Sequence, residues 1–276
     1  MSLAGIAKHN LAIVADRGYR APSGVRRDLG GWLDAARAGT RLYTPDELAR
    51  LLAAPGAADG APTSASTITV TAESTAAAAR RLAATGPVAA LNFASARNPG
   101  GGYLRGAKAQ EEDLARASAL YDCQLEARGY YDANRACASL LYTDHIIWTP
   151  AVPCFRDDRL DLLEQPYRCD FITAPAPNAG EALRRDPAAG PAIAAALHHR
   201  AGLVLAVAAD QRARRLVLGA WGCGVFRNQP PAVADAFATW LTHPRFAGCF
   251  DLVCFAILDR STDQATLTAF RDRLTR

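Results

Sequence analysis

The chain has 276 residues, half of them hydrophobic, and its 31 basic and 27 acidic side chains leave a formal charge of +4. This length and apolar content bury a sizeable core, as one large domain or two small ones, and exclude a disordered chain. The charge forms no block of one sign and is too diffuse to argue for duplex nucleic acid. The seven cysteines (Cys123, Cys137, Cys154, Cys169, Cys223, Cys249 and Cys254) include no C-x-x-C pair, and an odd number cannot close into a complete disulfide set. Reduced thiols in a cytoplasmic monomer are expected. No leader pattern is read and no apolar run nears the roughly 18 residues of a membrane span, so neither export nor a membrane partner is expected.

Residues 3–17 carry apolar positions at helical spacing, and 45–52 repeat the pattern with Pro45 at a plausible first turn. Two helices are predicted there, flanking an irregular, hairpin-like stretch. Small residues, Pro and Gly fill 53–66, which reads as a surface loop between an N-terminal extension, residues 1–65, and a main domain, residues 66–276. Beyond it, strands are predicted at 67–71, 88–94, 145–149, 170–174, 216–220 and 252–258. Helices are predicted at 75–84, 111–128, 188–208, 232–241 and 263–274. Leu114, Ala117, Leu120, Tyr121 and Leu125 make the apolar stripe of the helix at 111–128. Strands separated by helix-length segments predict a three-layer α/β sheet with its ligand site beyond the strand C-termini.

Two glycine-rich loops each follow a strand and precede a helix. The first reads NPGGGYLRGAKAQEE from Asn98 to Glu112, with Gly100, Gly101 and Gly102 in succession; the second reads GAWGCGVF, from Gly219 to Phe226. Loops of this kind present converging backbone amides to phosphate without a lysine. Neither is a nucleotide signature. Lys108 is displaced by one residue from its place in a P-loop, with no Ser or Thr after it, and Arg227 occupies the third glycine position of a dinucleotide fingerprint.

The five histidines form no metal-ligand spacing, so no metal and no cofactor are expected. Cys223 reads as a small residue that allows close backbone approach, since no base is identifiable beside it. The strongest chemical signal is the pair Glu111 and Glu112. Adjacent side chains diverge by roughly 100° on a helix, so the two acids cannot easily flank one glycosidic bond from opposite faces and should divide the labour. One would hold a sugar while the other transfers a proton, which at neutral pH requires a raised pKa.

The segment NFASARNPGGGYLRGAKAQEEDLARASALY resembles the catalytic segment of bacterial-type poly(ADP-ribose) glycohydrolases, whose signature is GGG, a short spacer, then QEE. The resemblance implies a macrodomain-like mixed sheet flanked by helices over residues 66–276, with residues 1–65 similar to the helical extension of those enzymes. By motif position it makes Glu112 the general acid/base and Glu111 the residue that orients ribose hydroxyls, with Gln110 and Asn98 supporting sugar and loop. It makes Gly222, Cys223, Gly224, Val225 and Phe226 the diphosphate loop, with Phe226 packing near ADP-ribose. The implied partners are poly(ADP-ribose) and ADP-ribosylated proteins, cut chiefly from the chain end to release ADP-ribose without a metal. A non-catalytic ADP-ribose reader and a mono-ADP-ribosyl hydrolase are the alternatives, and only hydrolysis requires the acids of QEE.

Overall fold

The computed structural model describes residues 1–55 and 66–275; most of the loop expected at 53–66 lies outside the described residues. The chain opens with α1 (Leu3–Ala15), a small hairpin of β1 (Gly18–Arg20) and β2 (Arg26–Asp28), α2 (Gly30–Gly39), β3 (Arg41–Tyr43) and α3 (Pro45–Ala53). Then follow β4 (Thr67–Thr71), α4 (Thr75–Ala83), β5 (Ala89–Phe93), α5 (Gln110–Ala117), α6 (Leu120–Gln124) and α7 (Arg128–Ala136). The hairpin of β6 (Ile146–Arg156) and β7 (Leu162–Ala174) leads to α8 (Ala179–Arg185) and α9 (Gly190–Asp210). The chain ends with β8 (Arg215–Gly219), α10 (Pro230–Leu241), β9 (Leu252–Ala256) and α11 (Ala265–Leu274).

Seven strands form one sheet in the order β3-β6-β7-β5-β8-β9-β4. The five strands from β7 to β4 are parallel, and β6 and β3 extend the sheet antiparallel at one edge. Alternation along the central strands divides the core into two layers. Ala89 and Leu91 of β5 and Leu216 and Leu218 of β8 join Leu48, Leu197, Phe237 and Phe270 on one face. Ala90 and Val217 join Leu33, Leu82, Leu114 and Leu120 on the other. Both faces of a parallel sheet are thereby covered by helices, which is why β5 and β8 read as nearly unbroken apolar runs.

The helix expected at 111–128 is broken. Ser118 is extended and forms an isolated bridge with Cys154, and its hydroxyl donates to the Leu114 carbonyl while accepting from the Leu120 amide. A serine that bonds both flanking turns offers the backbone an alternative to the helical ladder.

The strands expected at 145–149 and 170–174 are the ends of a much longer hairpin. Pro150 and Pro153 lie inside β6, where the register shifts between Thr149 and Val152 and Ala151 takes a φ of +50°. Asp170 Oδ1 accepts from the Ala151 amide at 2.6 Å and holds that bulge, the setting in which a strand tolerates proline. The irregular stretch expected after the first helix contains α2, and β3 carries the N-terminal segment into the main sheet. Finally, α9 is long and apolar enough to cross a membrane by length and composition, with a mean hydropathy of 1.5. This helix corrects the expectation that no apolar run nears the length of a membrane span. It is the core helix of one layer, with Leu203 to Ala208 all buried against the sheet.

Candidate active site

The chain leaves β5, runs through three helices to the β6-β7 hairpin beside β5 on one side, then crosses by α8 and α9 to β8 on the other. The loops after β7, β5 and β8 meet at this change of direction, the crevice in which open α/β sheets bind ligands. Both glycine-rich loops lie there.

In the first loop every glycine amide is committed inward. Gly100 donates to Gln124 Oε1 at 2.9 Å, Gly101 to the Asn98 carbonyl at 3.0 Å, and Gly102 to Glu112 Oε1 at 2.8 Å. The loop is therefore a wall that fixes a carboxylate, with no glycine amide left for phosphate. Gly101 has a φ of +58°, and a Cβ on it would stand 2.5 Å from Glu112 Oε1 and 3.1 Å from Glu111 Oε2. The two acids, in the first turn of α5, converge on that one bare backbone position.

They are not equivalent. Glu111 is 2% exposed and accepts three N–H donors: Asn92 at 3.1 Å and Gln124 at 2.9 Å on Oε1, and the Ser95 amide at 2.7 Å on Oε2. Burial nevertheless pushes its carboxyl up to about 7, against the pull of those three donors, and the neighbouring Glu112 adds a smaller upward push. Glu112 is 7% exposed, and its Oε2 is buried without a hydrogen-bond partner among the described residues. An orphaned buried oxygen is costly for a fold, and this one belongs to the acid pair at the glycine wall.

Gln110 uses both ends of its amide within the protein. Oε1 accepts from the Phe93 amide at 2.8 Å, and Nε2 donates to the Leu91 carbonyl at 2.8 Å and Thr75 Oγ1 at 3.2 Å. It therefore seats α5 on the end of β5, supporting the loop rather than reaching toward a sugar. Asn98 is exposed, and its backbone closes the turn onto Gly101.

The second loop has the opposite hydrogen-bond pattern. Among the described residues, the amides of Gly222, Gly224, Val225 and Phe226 donate to no protein acceptor, whereas those of Trp221, Cys223, Arg227 and Asn228 close the turn internally. Gly222 has a φ of +73°, and a Cβ there would meet Ala176 Cβ and Asn228 Nδ2 at 2.5 Å each. Free amides in such a turn make an anion-binding concavity. Pro230 and Pro231 open α10, so the first helical positions add no N–H and the loop supplies the donors. Val225 is 80% exposed, and burial pushes the Cys223 thiol up to about 12, which leaves it a packing residue and no nucleophile.

Five residues of this region escaped the sequence reading. Asn92 and Ser95 hold Glu111, and Gln124 bridges Glu111 to Gly100. Asn228 ties the second loop to the Pro177 carbonyl at 2.8 Å, and Tyr142, at a φ of +62°, sets its ring 5.8 Å from that of Phe226. The one visible signal was Asn92, a polar residue inside a buried apolar strand. Among the described residues no three His, Cys, Asp or Glu side chains group as a metal-ligand set.

A mixed seven-stranded sheet between helical layers, with a carboxylate pair on a glycine wall and a loop of free amides opposite, defines a macrodomain-like α/β protein. A family model described as microbial-type PARG, catalytic domain, matches residues 7–157, and the chain belongs to that family. Poly(ADP-ribose) glycohydrolase from Thermomonospora curvata is similar to it at 45% identity, with 99% of each chain covered and a TM-score of 0.94. The structure of that enzyme bound to the inhibitor ADP-HPD matches at 44% identity, 99% of each chain and a TM-score of 0.90. The enzyme from Deinococcus radiodurans in complex with ADP-ribose matches at 48% identity over 87% of this chain and 96% of its own, with a TM-score of 0.80. No curated protein matches the chain.

Proposed function

We propose that the protein is a poly(ADP-ribose) glycohydrolase that hydrolyses the ribose–ribose O-glycosidic bond, chiefly from the chain end, and releases ADP-ribose. The observation that carries this reading is the state of Glu112. One oxygen is anchored by the Gly102 amide and the other is buried with no partner, in the wall where Glu111 also converges.

From Oε2, Glu112 gives a proton to the leaving ribose oxygen as the bond to the anomeric carbon breaks and oxocarbenium charge develops there. The resulting carboxylate then takes a proton from water as the water oxygen bonds to that carbon, which restores the acid. Glu111 Oε2 accepts a single protein donor and a carboxylate oxygen takes two, so it keeps a lone pair for a ribose hydroxyl. The free amides from Gly222 to Phe226 cradle the diphosphate, and Phe226 with Tyr142 packs against the nucleoside side of ADP-ribose. These steps use no metal. Seven unpaired thiols support a cytoplasmic setting, and the reading takes the protein as a monomer without duplex nucleic-acid binding.

The test incubates purified protein with labelled poly(ADP-ribose) and, separately, with mono-ADP-ribosylated protein, each with and without chelator. Release of ADP-ribose from the polymer, unchanged by chelator, is expected. Tight binding without release would make the protein a reader, and release only from the mono-modified protein would make it a hydrolase of single ADP-ribose units.

A further inference from the structure

We propose that Gln124 is a positioning residue for this reaction, its one amide setting the glycine wall and Glu111 relative to each other. The inference rests on the reading above.

Gln124 is fully buried at the end of α6. Its Oε1 accepts the Gly100 amide at 2.9 Å and its Nε2 donates to Glu111 Oε1 at 2.9 Å. Both halves of the amide are thus spent on the two walls of the site, and the side chain itself lies outside it. α6 restarts after the extended Ser118 and carries Gln124 at its end. Asn92 holds the same Glu111 oxygen from the strand side, and its other nitrogen contact is Thr173. Glu111 therefore sits between a strand amide and a helix amide, and only the helix amide also grips the glycine loop.

Two substitutions separate this from a packing role. Gln124→Met keeps the volume and removes both bonds, whereas Gln124→Glu keeps an acceptor for Gly100 and replaces the donor to Glu111 with an acid. The ionisable groups facing Glu111 are Glu112 on α5 and Tyr130 and Tyr131 on α7, and these remain in both variants. Melting curves first establish that each variant is folded. Steady-state hydrolysis of poly(ADP-ribose) against pH and calorimetric ADP-ribose binding are then measured.

Expected for Gln124→Met is a kcat lower by about tenfold or more, from misplacement of the reacting groups, with a smaller change in ADP-ribose affinity. Loss of a donor that favours the ionised form moves the ascending limb of the pH profile to higher pH. Gln124→Glu moves that limb further, by about one unit or more, because two carboxylates then share the site. Folded variants with unchanged kcat and an unmoved limb overturn the inference while leaving the glycohydrolase reading intact. A wild-type protein that releases no ADP-ribose sinks that reading instead.

Discussion

At the scale of single residues, two crowded glycines at positive φ, one in each loop, make opposite kinetic predictions. Gly101→Ala adds a methyl group 2.5 Å from Glu112 Oε1 at a positive φ, so the carboxylate must move. We expect kcat on poly(ADP-ribose) to fall by about a hundredfold, a loss of the kind that follows when a reacting group is displaced by an ångström. Gly222→Ala strikes Ala176 and Asn228 at 2.5 Å and distorts the free-amide turn, so ADP-ribose affinity should fall by about tenfold in calorimetry, with kcat less affected. The reverse pattern would exchange the roles given to the loops. The glycine runs and the acid pair were legible because they break composition rules within a few positions of chain. Ser95 and Gln124 were not, since each acts through a partner 13 to 16 residues away that a linear reading does not bring near, and Asn92 showed only as a polar residue in an apolar strand.

At the scale of elements, α5 is the piece on which the site depends, and both its ends are fastened by other elements. Gln110 seats its start on β5. Asn10 of α1 donates to the Arg116 carbonyl at 2.7 Å and accepts from the Arg156 guanidinium at 2.8 Å. Asn10→Ala leaves both partners buried without that contact, which costs on the order of 2 kcal/mol. A melting temperature lower by about 5 °C is expected for a domain of this size; an unchanged melt would mean that α1 does not brace the site. The helix at the site was legible from its acid-rich start, but its end was not. Periodicity carries the pattern straight through Ser118, and only the tertiary partner Cys154 shows why the chain turns extended there. Pro150 hid the length of β6 in the same way, because a proline argues against a strand until Asp170 is seen to hold the bulge.

At the scale of the molecule, the sheet order brings three loops to one end and buries a carboxyl beneath them, and that burial has a signature in stability. Glu111 rises to about 7 in the folded protein from an ordinary value of 4.5, so between those values the folded state holds more protons than the unfolded chain. Stability therefore falls as pH rises through that window, by on the order of 3 kcal/mol from this group. Melting temperatures recorded from pH 5 to pH 8 should decline more steeply for wild type than for Glu111→Gln, which has no such window; parallel curves would contradict the burial argument. Fold class was legible at this scale from alternating strands and helices. The meeting of loops after β5, β7 and β8 was not, because strand order is a property of pairing between distant segments.

The central claim is that Glu112 transfers the proton. Its most direct test is single-turnover release of ADP-ribose from poly(ADP-ribose) by Glu112→Gln, with ADP-ribose binding measured on the same preparation. Glutamine keeps the shape and can still accept the Gly102 amide, but it has no proton to give. The account predicts release slower by about a hundredfold to ten-thousandfold, with binding retained. Release at the wild-type rate would contradict it.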